Sequence, residues 1–166
     1  IYMNYNGYGS DLSDLHFAPA ELYKLVYEYE NPVDFIVDSN QHFEKLESGY
    51  HQDFTSVQAL APLRVNKSNA VYMLPDTPWA RRASGVFSND LTNRYPDRAH
   101  AVLTEKSNGG YLVSVRAPLS NKHGASKLCG QFPTGGGREA AAGINDLAAD
   151  QLSIFIDKFE QTYRSC

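Results

Sequence analysis

The sequence predicts an α/β protein: a small mixed β-sheet covered by helices and preceded by connector helices. Three observations carry this. From residue 70 onward, short apolar runs of strand length alternate with segments of helical period. Two of those runs flank Ser107-Asn108-Gly109-Gly110, whose Asn-Gly pair is a tight-hairpin signal. Between Pro19 and Pro62 the apolar residues recur at helical spacing.

Residues 1–18, with Tyr2, Tyr5, Tyr8, Asn4, Asn6, Gly7 and Gly9, follow neither period and read as an irregular segment. Pro19 opens a helix with Leu22, Leu25, Val26 and Tyr29 at i, i+3, i+4 and i+7, and Asn31-Pro32 ends it. A second helical stretch carries Phe35, Ile36, Phe43, Leu46 and Tyr50 as a broken stripe, with a further turn over 57–60 before Pro62. The boundary between connector and sheet domain is expected at residues 62–68, giving domains 1–66 and 67–166. Residues 70–74 form a buried strand stopped by Pro75 and Pro78. Trp79, Ala83, Val86, Phe87 and Leu91 mark one face of a helix ending before Pro96. Strands over 99–104 and 111–116 make the hairpin, residues 125–131 a short helix, and residues 140–145 a strand after a glycine loop. The last helix has Leu152, Phe155, Ile156, Phe159 and Tyr163 on one face, with Asp150 as its N-cap.

At 166 residues, 42% hydrophobic and 20% charged, the chain has an ordinary globular composition. No apolar run has the length of a membrane-spanning helix. The two cysteines, Cys129 and Cys166, are too few for a disulfide framework and lack metal-ligand spacing, so a reduced, cytoplasmic setting is expected. The first residue is Ile1, in an aromatic-rich segment without an initiator Met, so a fragment of a longer protein is expected. The net charge of −4 hides a division. Residues 64–138 hold eleven of the 15 Lys and Arg and four of the 19 Asp and Glu, so they carry +7 and the remainder −11. A basic module suits an anionic partner, although a solvated surface also accounts for it.

The run Phe132-Pro133-Thr134-Gly135-Gly136-Gly137-Arg138-Glu139-Ala140-Ala141-Ala142-Gly143 is the most distinctive. Three glycines let backbone N–H groups approach an anion, and Arg138 adds a planar charged fork. A flexible glycine loop before a tightly packed element accounts for it equally well. A phosphate P-loop is excluded, because Gly136 and Gly137 stand where Lys and Ser/Thr belong. In the strand 111–116, Leu112, Ser114 and Arg116 share one face, so Arg116 sits at a strand end. One strand-helix-strand passage separates Arg116 from Arg138, and the two are candidates to converge on one anion. Arg81 and Arg82, beside Ser84-Gly85 at a helix start, form a second candidate anion site; packing of an arginine stem on Trp79 is the alternative. Asp11, Asp14 and His16 read either as a fragment of an acid-base or metal cluster or as a turn with a capped helix. The five histidines lack ligand spacing, and no nucleophile stands with its base. No catalytic residue and no metal ligand set is expected in this chain.

The string Tyr111-Leu112-Val113-Ser114-Val115-Arg116-Ala117, followed by residues 125–132 and then Gly135-Gly136-Gly137-Arg138-Glu139-Ala140-Ala141-Ala142-Gly143, resembles the C-terminal substrate-binding domain of the DHH phosphoesterases. These include RecJ-type exonucleases, nanoRNases, cyclic-dinucleotide phosphodiesterases and exopolyphosphatase-like proteins. The resemblance covers about residues 68–163 and rests on an S-x-R-S strand motif, a helix and G-G-G-H with A-A-G. It implies Ser114, Arg116, Thr134, Gly135, Gly136, Gly137 and Arg138 as the substrate-binding set. It also implies a short oligonucleotide or phosphorylated small molecule as ligand. Hydrolysis would come from an upstream DHH domain of the same chain holding Mn²⁺ or Mg²⁺, with residues 1–66 as the connector to it or a remnant of it. Arg138 stands where the family usually has histidine, and Ala117 replaces the second serine. A fixed charge suits phosphate binding and not proton transfer. A related domain ends alanyl-tRNA synthetases, so a non-enzymatic nucleic-acid binder is the alternative, with a nucleotide sensor as a third reading. A homodimer is a further expectation; a membrane partner is not.

Overall fold

The computed structural model describes residues 1–164; Cys166 lies outside them. By internal packing the chain divides into two units: Ile1–Gln58 with Thr77–Ala83, and Ala59–Asp76 with Ser84–Cys166.

The first unit is helical: α1 (Tyr2–Tyr5), α2 (Pro19–Tyr27), α3 (Pro32–Asp38) and α4 (Asn40–Gln58). The irregular segment predicted over residues 1–18 instead contains α1 and a 3-10 turn at Leu12–Asp14. Asp11 closes that turn with a capping box, its side chain accepting from the Ser13 N–H. The broken stripe after Pro32 is two helices, because Ser39 leaves the helical conformation between α3 and α4. Tyr5, Phe35, Leu46 and Val57 form the buried interior.

The second unit is built on a six-stranded mixed sheet, in the order β1 (Arg64–Val65), β2 (Asn69–Leu74), β3 (Ala99–Glu105), β4 (Tyr111–Arg116), β6 (Ala141–Leu147), β5 (Gly135–Arg138). Strands β2 and β3 are parallel, joined through α5 (Pro78–Arg94), and the other pairs are antiparallel. Alternation sorts the side chains. Val71, Ala101, Leu103, Val113, Val115, Ala142 and Ile144 face a core completed by α6 (Ala125–Cys129) and α7 (Leu152–Thr162), which contributes Phe155, Ile156 and Phe159. The opposite face takes Ala70, Tyr72, His100, Val102, Ser114 and Arg116, and Phe87 of α5 meets the Tyr72 ring edge-on. The Cys129 thiol lies in the core, and burial pushes it up to about 12.

Two further expectations are corrected. The glycine run is no loop: Gly135–Arg138 is an edge strand, paired with β6 from Gly135↔Ile144 to Arg138↔Ala141. Asp150 does not cap the last helix, because a 3-10 turn over Ala149–Gln151 intervenes and Gln151 takes the cap position without a side-chain bond.

Candidate functional site

Strand register assembles the site. Arg116 on β4 pairs with Ala141 on β6, and Ala141 pairs with Arg138 on β5. Residues paired across strands share a face, so both arginines lie on the side of the sheet away from the α6–α7 core, two strand spacings or about 9–10 Å apart along the backbone. The neighbouring same-face row runs Ser114, Gly143, Gly136. Between the arginines the floor therefore consists of Ala141, Gly143 and Gly136 alone. It is a low trough with a cation on either side.

The two arginines are held differently. Arg116 is half-buried; its Nε donates to Asn89 Oδ1 at 3.2 Å, and its Nη1 donates to Ser114 Oγ at 2.9 Å and to the Val115 carbonyl at 3.3 Å. Asn89 comes from the part of α5 that belongs to this unit. The Arg138 side chain is exposed and makes no hydrogen bond or ion pair with any described residue. Its neighbour Glu139 is committed elsewhere: its carboxylate accepts from Ser126 Oγ and from the Gly124 N–H at 3.1 Å. Those two bonds, the hydroxyl first, hold the Glu139 carboxyl below its usual range. The acid beside Arg138 is thus spent on the start of α6 and not on the guanidinium.

The glycines have separate reasons. A Cβ on Gly135 would overlap the Cys129 carbonyl, and one on Gly137, at φ +142°, would lie 2.5 Å from Ala142 Cα. Both are required by the fold. Gly136 is different: a Cβ there meets nothing within 4 Å. Nothing inside the chain asks for glycine at 136, and its bare backbone is a surface an external group can reach.

Thr134 serves structure. Its hydroxyl donates to the Asp146 carbonyl at 3.1 Å and accepts from the Asp146 N–H at 2.8 Å, fixing the start of β5 against β6. Arg81 and Arg82 belong to the first unit, whereas the residues of the trough belong to the second. Arg81 makes a bidentate pair with Asp14 at 2.7 Å through both Nε and Nη2, and its hydrogen bonds hold the Asp14 carboxyl far below the usual range. Arg82 grips Asp53 through Nε at 2.8 Å and Nη2 at 3.1 Å. The Tyr5 hydroxyl donates to Asp53 and accepts from Arg82 Nε at 3.0 Å. Burial first, then the bond to Asp53, raises the Tyr5 phenol well above its usual value. The anions these arginines meet are the chain's own carboxylates. Ser84 is buried within α5, where its carbonyl accepts from Ser88 Oγ at 2.8 Å.

One residue of the arginine row was missed at the sequence level. His100 pairs with Arg116 from the β3 side and is fully buried, neither ring nitrogen having a hydrogen-bond partner. Burial, with the Arg98 charge second, holds its imidazole down to about 4, so it is neutral beside Arg116 near pH 7. The alternation of β3 would have placed it on this face once its pairing with β4 was known.

No family model matches this chain and no curated protein matches it. Solved structures do. The pGpG-specific phosphodiesterase PggH from Vibrio cholerae superposes with a TM-score of 0.60 at 13% identity, over 97% of this chain and 54% of that one. RecJ from Thermus thermophilus, solved in complex with Mg²⁺, gives 0.56 at 12% identity, over 96% of this chain and 27% of that one. The DHH domain of a member of a ribosomal-protein family gives 0.56 at 11% identity, over 86% of this chain and 36% of that one. The fold is DHH-related. The chain spans about half the length of PggH and less of the other two.

Within this DHH-related fold the described residues do not fit a catalytic metal. No three His, Cys, Asp or Glu side chains among them come together as a metal-holding group. Asp11 and Asp14, candidates beside His16, are taken by the Ser13 N–H and by Arg81. No helix among the described residues is long and apolar enough to cross a membrane.

Proposed function

We propose that the second unit is the substrate-binding module of a DHH-type phosphoesterase, holding a phosphate group of a short oligonucleotide or small phosphorylated compound in the trough between Arg116 and Arg138. The observation that carries the reading is the Arg116–Ala141–Arg138 row: two cations on one face, separated by a floor without side chains beyond a methyl. Arg116 is preoriented by Asn89 and Ser114, which lowers the ordering cost of binding. Arg138 is a planar donor without an internal acceptor, suited to clamp a phosphate oxygen pair. Ser114 and the Gly136 backbone supply the remaining polar surface.

Hydrolysis belongs, on this reading, to a metal-bearing DHH domain outside these residues, and this chain supplies grip and register. The likeness to PggH and RecJ in fold supports the placement. The fixed positive charge of Arg138 supports binding over proton transfer.

The test is equilibrium binding of a 5′-phosphorylated dinucleotide to the whole chain. Arg116→Ala and Arg138→Ala are each expected to weaken it by about tenfold to a hundredfold, the range for a charge-assisted hydrogen bond. Unchanged affinity in the double variant overturns the proposal. A general RNA binder would instead gain affinity steadily with strand length and show a steep salt slope.

A further inference from the structure

A second cationic surface lies beside the trough, in the same unit. Lys67, Arg94, Tyr95, Pro96, Asp97 and Arg98 line a surface pocket of about 220 Å³. Three of the six are cations and one is an acid. Arg94 is paired with Asp90, its Nε 2.8 Å from Oδ2. Lys67 is exposed and has no partner among the described residues. Arg98 is poised differently: its guanidinium carbon lies 4.7 Å from the centroid of the Tyr95 ring, and its Nε is buried without an acceptor. Tyr95 is 44% exposed; the Arg98 guanidinium lies over its ring and the His100 ring is 6.1 Å away, centroid to centroid, so part of a braced aromatic ring stands open beside the cations.

The pocket lies at the end of the sheet that carries Arg116. Arg98 is two residues before His100, and His100 pairs with Arg116. Arg94 is five residues beyond Asn89, which holds Arg116, or about 7–8 Å along the helix. The Leu119 N–H, just past the end of β4, donates to the Pro96 carbonyl at 2.7 Å and ties the pocket rim to the end of that strand. From His100 to Arg138 the row covers three strand spacings, roughly 14 Å, too far for one phosphate to bridge. A ligand touching pocket and trough together needs successive phosphates and, at Tyr95, a flat ring to stack.

We infer that the Lys67–Arg94–Tyr95–Arg98 pocket is an extension subsite for single-stranded oligonucleotide, in which a base stacks on Tyr95 while Arg98 and Lys67 meet the next phosphate of a strand already anchored between Arg116 and Arg138. The inference rests on the phosphate reading of the trough and narrows its ligand to a strand of about three or four nucleotides, the length that spans both.

The experiment compares a 5′-phosphorylated RNA dinucleotide with the tetranucleotide that extends it, by fluorescence anisotropy on the whole chain. The tetranucleotide is expected to bind about tenfold tighter, the effect of one stacked base with its phosphate contact. Tyr95→Ala and Arg98→Ala are expected to erase that advantage. Lys67→Glu, at an exposed position where misfolding is not at issue, is expected to reduce it severalfold. Equal affinity for the two RNAs in the unmodified chain, or an advantage that survives Tyr95→Ala and Lys67→Glu, overturns the subsite. The trough is judged separately, on the dinucleotide alone: indifference of that affinity to Arg116→Ala overturns the phosphate reading while leaving the length comparison to judge the pocket.

Discussion

Arg116 and Arg138 face the same residue, Ala141, from its two neighbouring strands. Each guanidinium is fixed to the sheet by a register that one slipped pairing would destroy, since a one-residue shift sends every side chain to the other face. The first prediction is therefore one of coupling. Arg116→Ala and Arg138→Ala, if both touch one phosphate, lose less together than the sum of their separate losses, and a double-mutant cycle on dinucleotide affinity measures the difference. Arg116→Lys is expected to bind nearly as poorly as Arg116→Ala, because an ammonium cannot reproduce the planar fork that bonds Asn89 and Ser114.

The glycines divide by consequence. Gly135→Ala and Gly137→Ala are expected to unfold the edge strand, one by collision with the Cys129 carbonyl and the other by strain at φ +142° against Ala142. Gly136→Ala is expected to melt within a few degrees of the unmodified chain and to bind the dinucleotide more weakly. Thermal melts and titrations on the three variants make the comparison. A large loss of stability in Gly136→Ala contradicts the open space found there.

The strands β2, β3 and β4 and the helices α2, α5 and α7 were legible because their apolar residues repeat at strand or helix period. Strand β5 was not, since glycine has poor strand propensity and no face to bury. What makes Gly135–Arg138 a strand is the waiting edge of β6. The trough was half legible: Arg116 and Arg138 stand out as residue types, but their meeting depends on β6 inserting between β4 and β5, which no local pattern encodes. Arg81 and Arg82 point the same way. Their partners Asp14 and Asp53 are 67 and 29 residues distant in sequence, so a cationic helix start looked free to bind an anion.

Asp53 is the keystone of the first unit's polar interior. Its side chain is 8% exposed and that of Arg82 11%, so Asp53→Ala leaves the Arg82 guanidinium without its carboxylate away from water, while the Tyr5 hydroxyl keeps the Gly49 carbonyl at 3.1 Å. The expected cost is about 3–5 kcal/mol, read by urea denaturation. Tyr5→Phe, which leaves the ion pair intact, is expected to cost about 1–2 kcal/mol.

His100 sets a pH dependence with a definite sign. Its imidazole is held at about 4 in the fold, against about 6.5 when unfolded. Between those values the unfolded chain binds more protons, so this contribution is full above about pH 6.5 and is lost as pH falls toward 4. The amount at stake is on the order of 3 kcal/mol. His100→Leu keeps the volume and removes the titration. Measured by urea denaturation, the stability of the unmodified chain relative to that variant is expected to fall steadily between about pH 7 and 4.5. A relative stability that does not change with pH refutes the assignment.

The irregularity between β4 and β6 separates the two ends of the sheet. Tyr111 pairs with Leu147 and Val113 with Ile144, so one position on β4 is skipped where two are skipped on β6, and Asn145 and Asp146 turn outward. Pairing at Arg116↔Ala141 lies on the far side of that bulge from the turn that carries Gly109, with the length of β4, about 17 Å, between them. That turn is exposed, and a Cβ at Gly109 meets nothing within 4 Å, although its φ of +82° reserves the position itself for glycine. The turn is accordingly a tether point: a dye or surface linker joined at Ser107 leaves the arginine row undisturbed, and the chain can be immobilised there with Arg116 and Arg138 away from the support.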